Sequence, residues 1–203
     1  MILRLFRRTP RVDTIACLYG TIVAQARTRA FYQVYGVPDT VNGRLEMIML
    51  HAVLILQRLE REPATVRALG QGIFDRFCRD MDESMREMGV GDLAVPRKMR
   101  RIGEAFYGRQ ETYRQALVAA DEQPLAAALR RNVFADGSDG VGADRLAAYV
   151  REVVRGLAAQ NGFERAQLAF PDPEQVPLRA RDGRGRNHAE GCQGCQGRKG
   201  CRR

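Results

Sequence analysis

A chain of 203 residues with 33 basic and 24 acidic side chains carries a net charge of +9, and 45% of its residues are hydrophobic. That balance suits one globular domain with a real core plus a tail, and it excludes a disordered chain or a membrane-embedded one. The excess charge sits at the two ends, which points to anionic partners such as RNA, a ribosomal surface or anionic lipid.

Residues 1–11, MILRLFRRTPR, hold four arginines and no acid. No apolar stretch of about 7–15 residues follows them, so they do not read as a secretory signal. Two readings stand: the frayed start of the domain, or a surface contact with Ile2, Leu3, Leu5 and Phe6 towards lipid and the arginines towards phosphates. Thr9-Pro10 then reads as a cap and first turn. The helix it opens carries Val12, Ile15, Ala16, Tyr19, Ile22, Val23 and Ala26 on one face.

After the turn YGVPDT, Asp39 or Thr40 caps a second helix through Leu45, Ile48, Ala52, Ile55 and Leu59. Its apolar run, residues 47–56, is about half the roughly 20 residues needed to span a bilayer, so it is a buried helix with His51 as a structural core residue. Pro63 opens a third helix that runs to Met88 and stops at Gly89, a natural residue for a helix end. Pro96 begins a fourth, with Met99, Ile102, Phe106, Tyr113 and Leu117 on its face. Pro124 begins a fifth, ADGSDGVG is a loop, and a sixth ends at Asn161-Gly162. The expected fold is therefore all-α: a compact bundle of about six helices over residues 12–163. Residues 164–203, rich in Pro, Gly and Arg, form a basic, disordered and flexible C-terminal tail. Cys17 and Cys78, isolated in helical patterns, read as reduced core residues of a cytosolic-type protein.

The densest candidate site is DRFCRDMDESMREMGVGDLAVP, residues 75–96. On a helix, Phe74, Phe77/Cys78, Met81, Met85 and Met88 fall on one stripe. Such a stripe reads first as core; its other reading is an adaptable surface for apolar partners. The acids do not converge: Asp75 reaches Arg79 and Asp82 reaches Arg86 at i, i+4, while Asp80, Glu83 and Glu87 share another strip. Neither histidine lies in the Glu-x-x-His pattern of a bundle metal site, and no nucleophile–base pair, GxGxxG or P-loop is present. No enzyme and no cofactor are expected. In the tail, His188, Cys192, Cys195 and Cys201 have zinc-like spacing, but no apolar residues surround them to close a module.

Four stretches, FYQVYGVPDTVNGRLEMIMLH, FDRFCRDMDESMREMGVGDLAVPRKMRRIGEAFYGR, PLAAALRRNVF and LAAYVREVV, together resemble the ubiquinol–cytochrome c chaperone family over residues 14–160. The resemblance implies an assembly chaperone, peripheral to the inner membrane on its cytoplasmic side, that binds newly made cytochrome b for the bc1 complex. It also implies partners: the ribosome near its tunnel exit, a small partner protein and an anionic membrane surface. The shared block maps onto Asp75, Asp80, Asp82, Arg86, Met88, Gly89, Val90, Gly91, Pro96, Met99, Phe106 and Tyr107, whose solvent-facing members are expected to bind the client. The alternative that the charge alone supports is a ribosome- or nucleic-acid-associated helical protein.

Overall fold

The computed structural model describes residues 10–119, 121–134 and 140–176. Among them every regular element is helical: α1 (Pro10–Ala26), α2 (Arg29–Gln33), α3 (Val41–Leu59), α4 (Ala64–Glu87), α5 (Val95–Val118), α6 (Gln123–Val133), α7 (Val141–Ala158) and a 3₁₀ turn at Phe163–Arg165. The basic segment before Pro10, Thr9 as a helix cap and the tail after Val176 lie outside the described residues.

Helix α3 is the axis of the bundle, packed against α1, α4, α5, α6 and α7. Every residue from Glu46 to Ile55 is buried, so for nearly three turns it has no solvent face. Its start is fixed locally: Thr40, in an extended conformation, accepts a hydrogen bond from the Gly43 amide at 3.1 Å. Gly43 admits no larger residue, because a Cβ there would lie 2.0 Å from the Pro38 carbonyl oxygen.

A helix buried on all sides must have its polar groups satisfied from within. Glu46 is 4% exposed and meets the Arg109 fork of α5 at 2.7 and 3.0 Å, a bidentate pair. His51 is fully buried; its Nδ1 lies 2.8 Å from the Met47 carbonyl and its Nε2 2.9 Å from the Tyr149 hydroxyl. A carbonyl only accepts, so Nδ1 carries the proton and Nε2 accepts from Tyr149. Tyr149 in turn accepts from Gln25 Nε2 at 2.9 Å. Burial pushes the His51 pKa down from 6.5 to about 4, against the smaller upward pull of the Met47 carbonyl. At the end of α3, Arg58 donates to the Leu157 and Gln160 carbonyls, pairs with Glu62 at 2.5 Å and lies over the Phe163 ring. Its charge thereby satisfies orphan carbonyls at the α7 C-terminus.

Two expectations need correction, and one element was not anticipated. The folded chain continues past 163: Ala166, Leu168, Phe170 and Val176 pack on the core, the Phe170 ring lies 5.2 Å from that of His51, and Tyr35 donates to the Pro173 carbonyl at 2.7 Å. Residues 164–176 thus form a strap over α1, α3 and Tyr35, because few but well-spaced apolar side chains and backbone carbonyls find buried partners. Cys17 faces solvent, since α1 buries Leu18, Tyr19, Ile22 and Ala26 and leaves Val12 and Ala16 outside as well. The short helix α2 stands just before the YGVPDT turn, where the sequence assigned no element.

Two stability outcomes follow from α3. The unfolded chain takes up the His51 proton between pH 6.5 and about 4 and the folded chain does not. The His51 contribution is therefore complete above pH 6.5 and is lost as the pH falls towards 4, at up to ~1.4 kcal/mol per pH unit. Urea denaturation across that range should show a steeper loss for the natural chain than for His51→Gln; equal slopes would mean the imidazole is not held neutral. Arg109→Met leaves Glu46 buried and unpaired and should cost about 3 kcal/mol, much of it recovered in the Glu46→Met/Arg109→Met double variant.

Candidate functional site

Helices α4 and α5 form a hairpin closed by residues 88–94. The turn is built by Gly89, whose φ of +78° suits a residue without Cβ. The Gly89 amide bonds the Arg86 carbonyl and the Val90 amide the Met85 carbonyl, the paired bonds of a Schellman end. Pro96 in the first turn of α5 then sets the return helix. Along the hairpin an aromatic seam joins the helices: Phe74–Phe106 at 5.0 Å, Phe77–Phe106 at 5.2 Å and Phe74–Tyr107 at 5.4 Å.

The sequence-predicted site residues divide on this frame. Phe106 is fully buried in the seam and cannot touch a partner. Asp80 faces inward, accepting the Tyr19 hydroxyl at 2.8 Å and so joining α4 to α1; burial, then that bond, pushes the Tyr19 pKa up. Asp75 is exposed but is held by Gln71 Nε2 at 2.7 Å rather than by Arg79. The expected Asp82–Arg86 pair forms at 2.7 Å, and Arg86 also bonds Asp92 across the turn. Asp82 is the first cause of the raised Arg86 pKa. The methionine stripe splits: Met85 is buried, Met81 packs against the core, and Met88 is 57% exposed.

What reaches solvent is a coherent strip. Met88, Gly91 and Pro96 are exposed at the turn, with Met99 half-buried beside them. Tyr107 stands 59% exposed on α5, about 18 Å along the helix from its start. Leu93, which the sequence reading passed over, is 99% exposed. Its signal was its place: a large apolar side chain in a short glycine-bounded turn has nothing to pack against. Between Pro96 and Tyr107, Gly103 lies on the same helical face, and a Cβ there would meet nothing within 4 Å. The Arg86 bridge to both aspartates stiffens the turn that presents Met88 and Leu93.

The arrangement presents exposed apolar surface. His51, with both ring nitrogens bonded inside the core, is unavailable as a base. Among the described residues no group of three or more His, Cys, Asp and Glu is placed to hold a metal ion, and no helix is long and apolar enough to cross a membrane. His188, Cys192, Cys195 and Cys201 lie outside the described residues. Burial raises the pKa of the half-buried Cys78 thiol, with Asp75 adding to it, which disfavours the nucleophilic thiolate.

A family model described as ubiquinol-cytochrome C chaperone matches residues 33–169, a span that contains the whole hairpin. The chain is 26% identical over 146 residues to ubiquinol-cytochrome-c reductase complex assembly factor 1 of Xenopus laevis, covering 71% of this chain and 72% of the frog protein. The mouse and human proteins of that description are 27% and 26% identical over 146 residues, again 71% of this chain. The match covers 49% and 48% of those proteins, so the chain spans about half the length of its mammalian relatives. Among solved structures, the crystal structure of the Cbp3 homolog from Brucella abortus superposes with a TM-score of 0.77 at 40% identity, covering 87% of this chain and all of that one.

The division of the hairpin is testable by stability alone. Phe106→Ala should cost about 4 kcal/mol in urea denaturation, whereas Leu93→Ala should stay within about 0.5 kcal/mol of the natural chain. A severe loss from Leu93→Ala would mean that its side chain is packed and the exposed strip is not free.

Proposed function

The chain belongs to the ubiquinol–cytochrome c chaperone family, and from that premise we propose that it binds newly made cytochrome b and holds it for assembly of ubiquinol–cytochrome c reductase. The observation that carries the reading is the row of large apolar side chains left in solvent on the hairpin, Met88, Leu93 and Tyr107. A nascent membrane protein exposes varied apolar helices before it is inserted, and a holding surface must match many of them without chemistry. Met's unbranched thioether adapts to irregular partners, and an aromatic ring with a polar tip suits a half-wet contact. Asp82, Arg86 and Asp92 beside that row supply a charged rim that disfavours indiscriminate aggregation.

The client-contacting residues are then Met88, Leu93, Pro96, Met99 and Tyr107, with Gly91 and Gly103 leaving room for the partner and Asp75, Asp82 and Arg86 at the rim. The basic ends, residues 1–11 and 176–203 with its net +6, supply sequence-independent attraction to ribosomal RNA or anionic lipid where the client emerges.

The test is a Met88→Asp/Leu93→Asp variant. Both side chains are in solvent, so its unfolding free energy should stay within about 1 kcal/mol of the natural chain. Its recovery of cytochrome b in co-purification should fall at least about tenfold, as expected when apolar anchors of an interface become charged. A folded variant that retains its client overturns the placement of the site. Should the double variant unfold, Leu93→Asp alone gives the same answer.

A further inference from the structure

On the face formed by the end of α1, α2 and the start of α3 lies an open cleft of about 520 Å³ lined by Arg27, Arg29, Tyr32, Gln33, Asp39 and Arg44. Neither Arg27 nor Arg29 pairs with a carboxylate among the described residues, and both are exposed. Arg44 gives its Nε to Asp39 at 2.6 Å and lies 6.0 Å over the Tyr32 ring. Two tethers thus hold its guanidinium while the Nη groups make no other ion pair among the described residues. Tyr32 is fixed in turn by donating to the Ala26 carbonyl at 2.8 Å.

Three arginines against one aspartate leave the cleft with a surplus of two positive charges. The C-terminus of α1 offsets only about half a charge of that, so the helix end does not explain the cluster. Guanidinium forks match the oxygens of a phosphate ester better than they match a lone small anion. Next in the chain to Gln33 is Val34, 47% exposed, and two residues after Asp39 is Val41, 68% exposed. Exposed aliphatic side chains beside unpaired arginines are the composition of a surface that rests on lipid headgroups. An RNA strand favours a different surface, an extended basic track with aromatic faces open for stacking; here the one tyrosine ring has an arginine over it.

We propose that this cleft binds the phosphate of an anionic phospholipid headgroup and so seats the protein on a membrane surface. The proposal rests on the assembly reading for its cellular setting but not on cytochrome b. Vesicle binding is measured on the purified chain without client, so failure here and failure of the hairpin site are separate results.

The test uses the full chain and mixed phosphatidylcholine–phosphatidylglycerol vesicles in a sedimentation assay. Arg27→Ala/Arg29→Ala should weaken binding roughly thirtyfold, two surface charges at ~1 kcal/mol each. Arg97→Ala/Arg101→Ala removes the same charge from exposed positions on α5 and should weaken it less than about threefold, with circular dichroism unchanged for both. Equal losses in the two variants overturn the proposal, because the attraction is then diffuse. Release from vesicles by low-millimolar glycerol phosphate would assign the cleft to a soluble phosphate ester and overturn the lipid assignment; insensitivity to it supports the membrane. A thirtyfold loss of single-stranded RNA binding in Arg27→Ala/Arg29→Ala, with vesicle binding intact, would also overturn it.

Discussion

Helix α3 is buried on every side from Glu46 to Ile55, and that burial dictates where the other helices can sit. A polar group sealed in the interior costs several kcal/mol unless it is bonded, and a charge costs more. Glu46 therefore requires Arg109 on α5, and His51 requires a donor that is itself satisfied, which Tyr149 on α7 and Gln25 on α1 provide. The same chain of bonds extends to the strap, since Gln25 also donates to the Pro171 carbonyl. Apolar packing alone would tolerate small slips of one helix past another. These bonds tolerate none, and they fix three neighbours of α3 in register.

The hairpin inherits its position from that core. Arg109 lies two residues after Tyr107, so the pair with Glu46 anchors the middle of α5, and the Phe74–Phe77–Phe106 seam anchors α4 beside it. Beyond these anchors the helices extend to the Gly89 turn, where Met88 and Leu93 stand in solvent. A stem with an exposed apolar tip is the feature on which the proposed contact rests. The family to which the chain belongs is described as one of chaperones.

Much of this was readable in the residues, and what was not has identifiable causes. Thr40, Pro63, Gly89, Pro96 and Pro124 mark helix ends by local backbone rules, and those five ends stand where the rules put them. The inward turn of Asp80 was not readable, because its partner Tyr19 is 61 residues away in sequence. Phe106 and Tyr107 are neighbours with opposite fates; one step on a helix turns about 100°, and only the packing of α4 decides which ring goes inside. The Glu46–Arg109 pair spans 63 residues of sequence, and its one local hint is an acid within the apolar run LEMIML. The strap escaped notice because Pro- and Gly-rich composition argues for mobility, while Phe163, Phe170 and Val176 are spaced well enough to bind the core.

The central claim, that the exposed hairpin face is where cytochrome b is held, is tested most directly by site-specific photo-crosslinking in cells that make the protein. A photoreactive residue replaces Leu93, whose side chain is almost wholly in solvent, and a second replaces Glu152 on α7 as the reference position. Adducts to cytochrome b from position 93 that are absent from position 152 are the predicted result. Adducts from position 93 only to ribosomal RNA or ribosomal proteins would contradict the claim and move the client surface elsewhere on the fold.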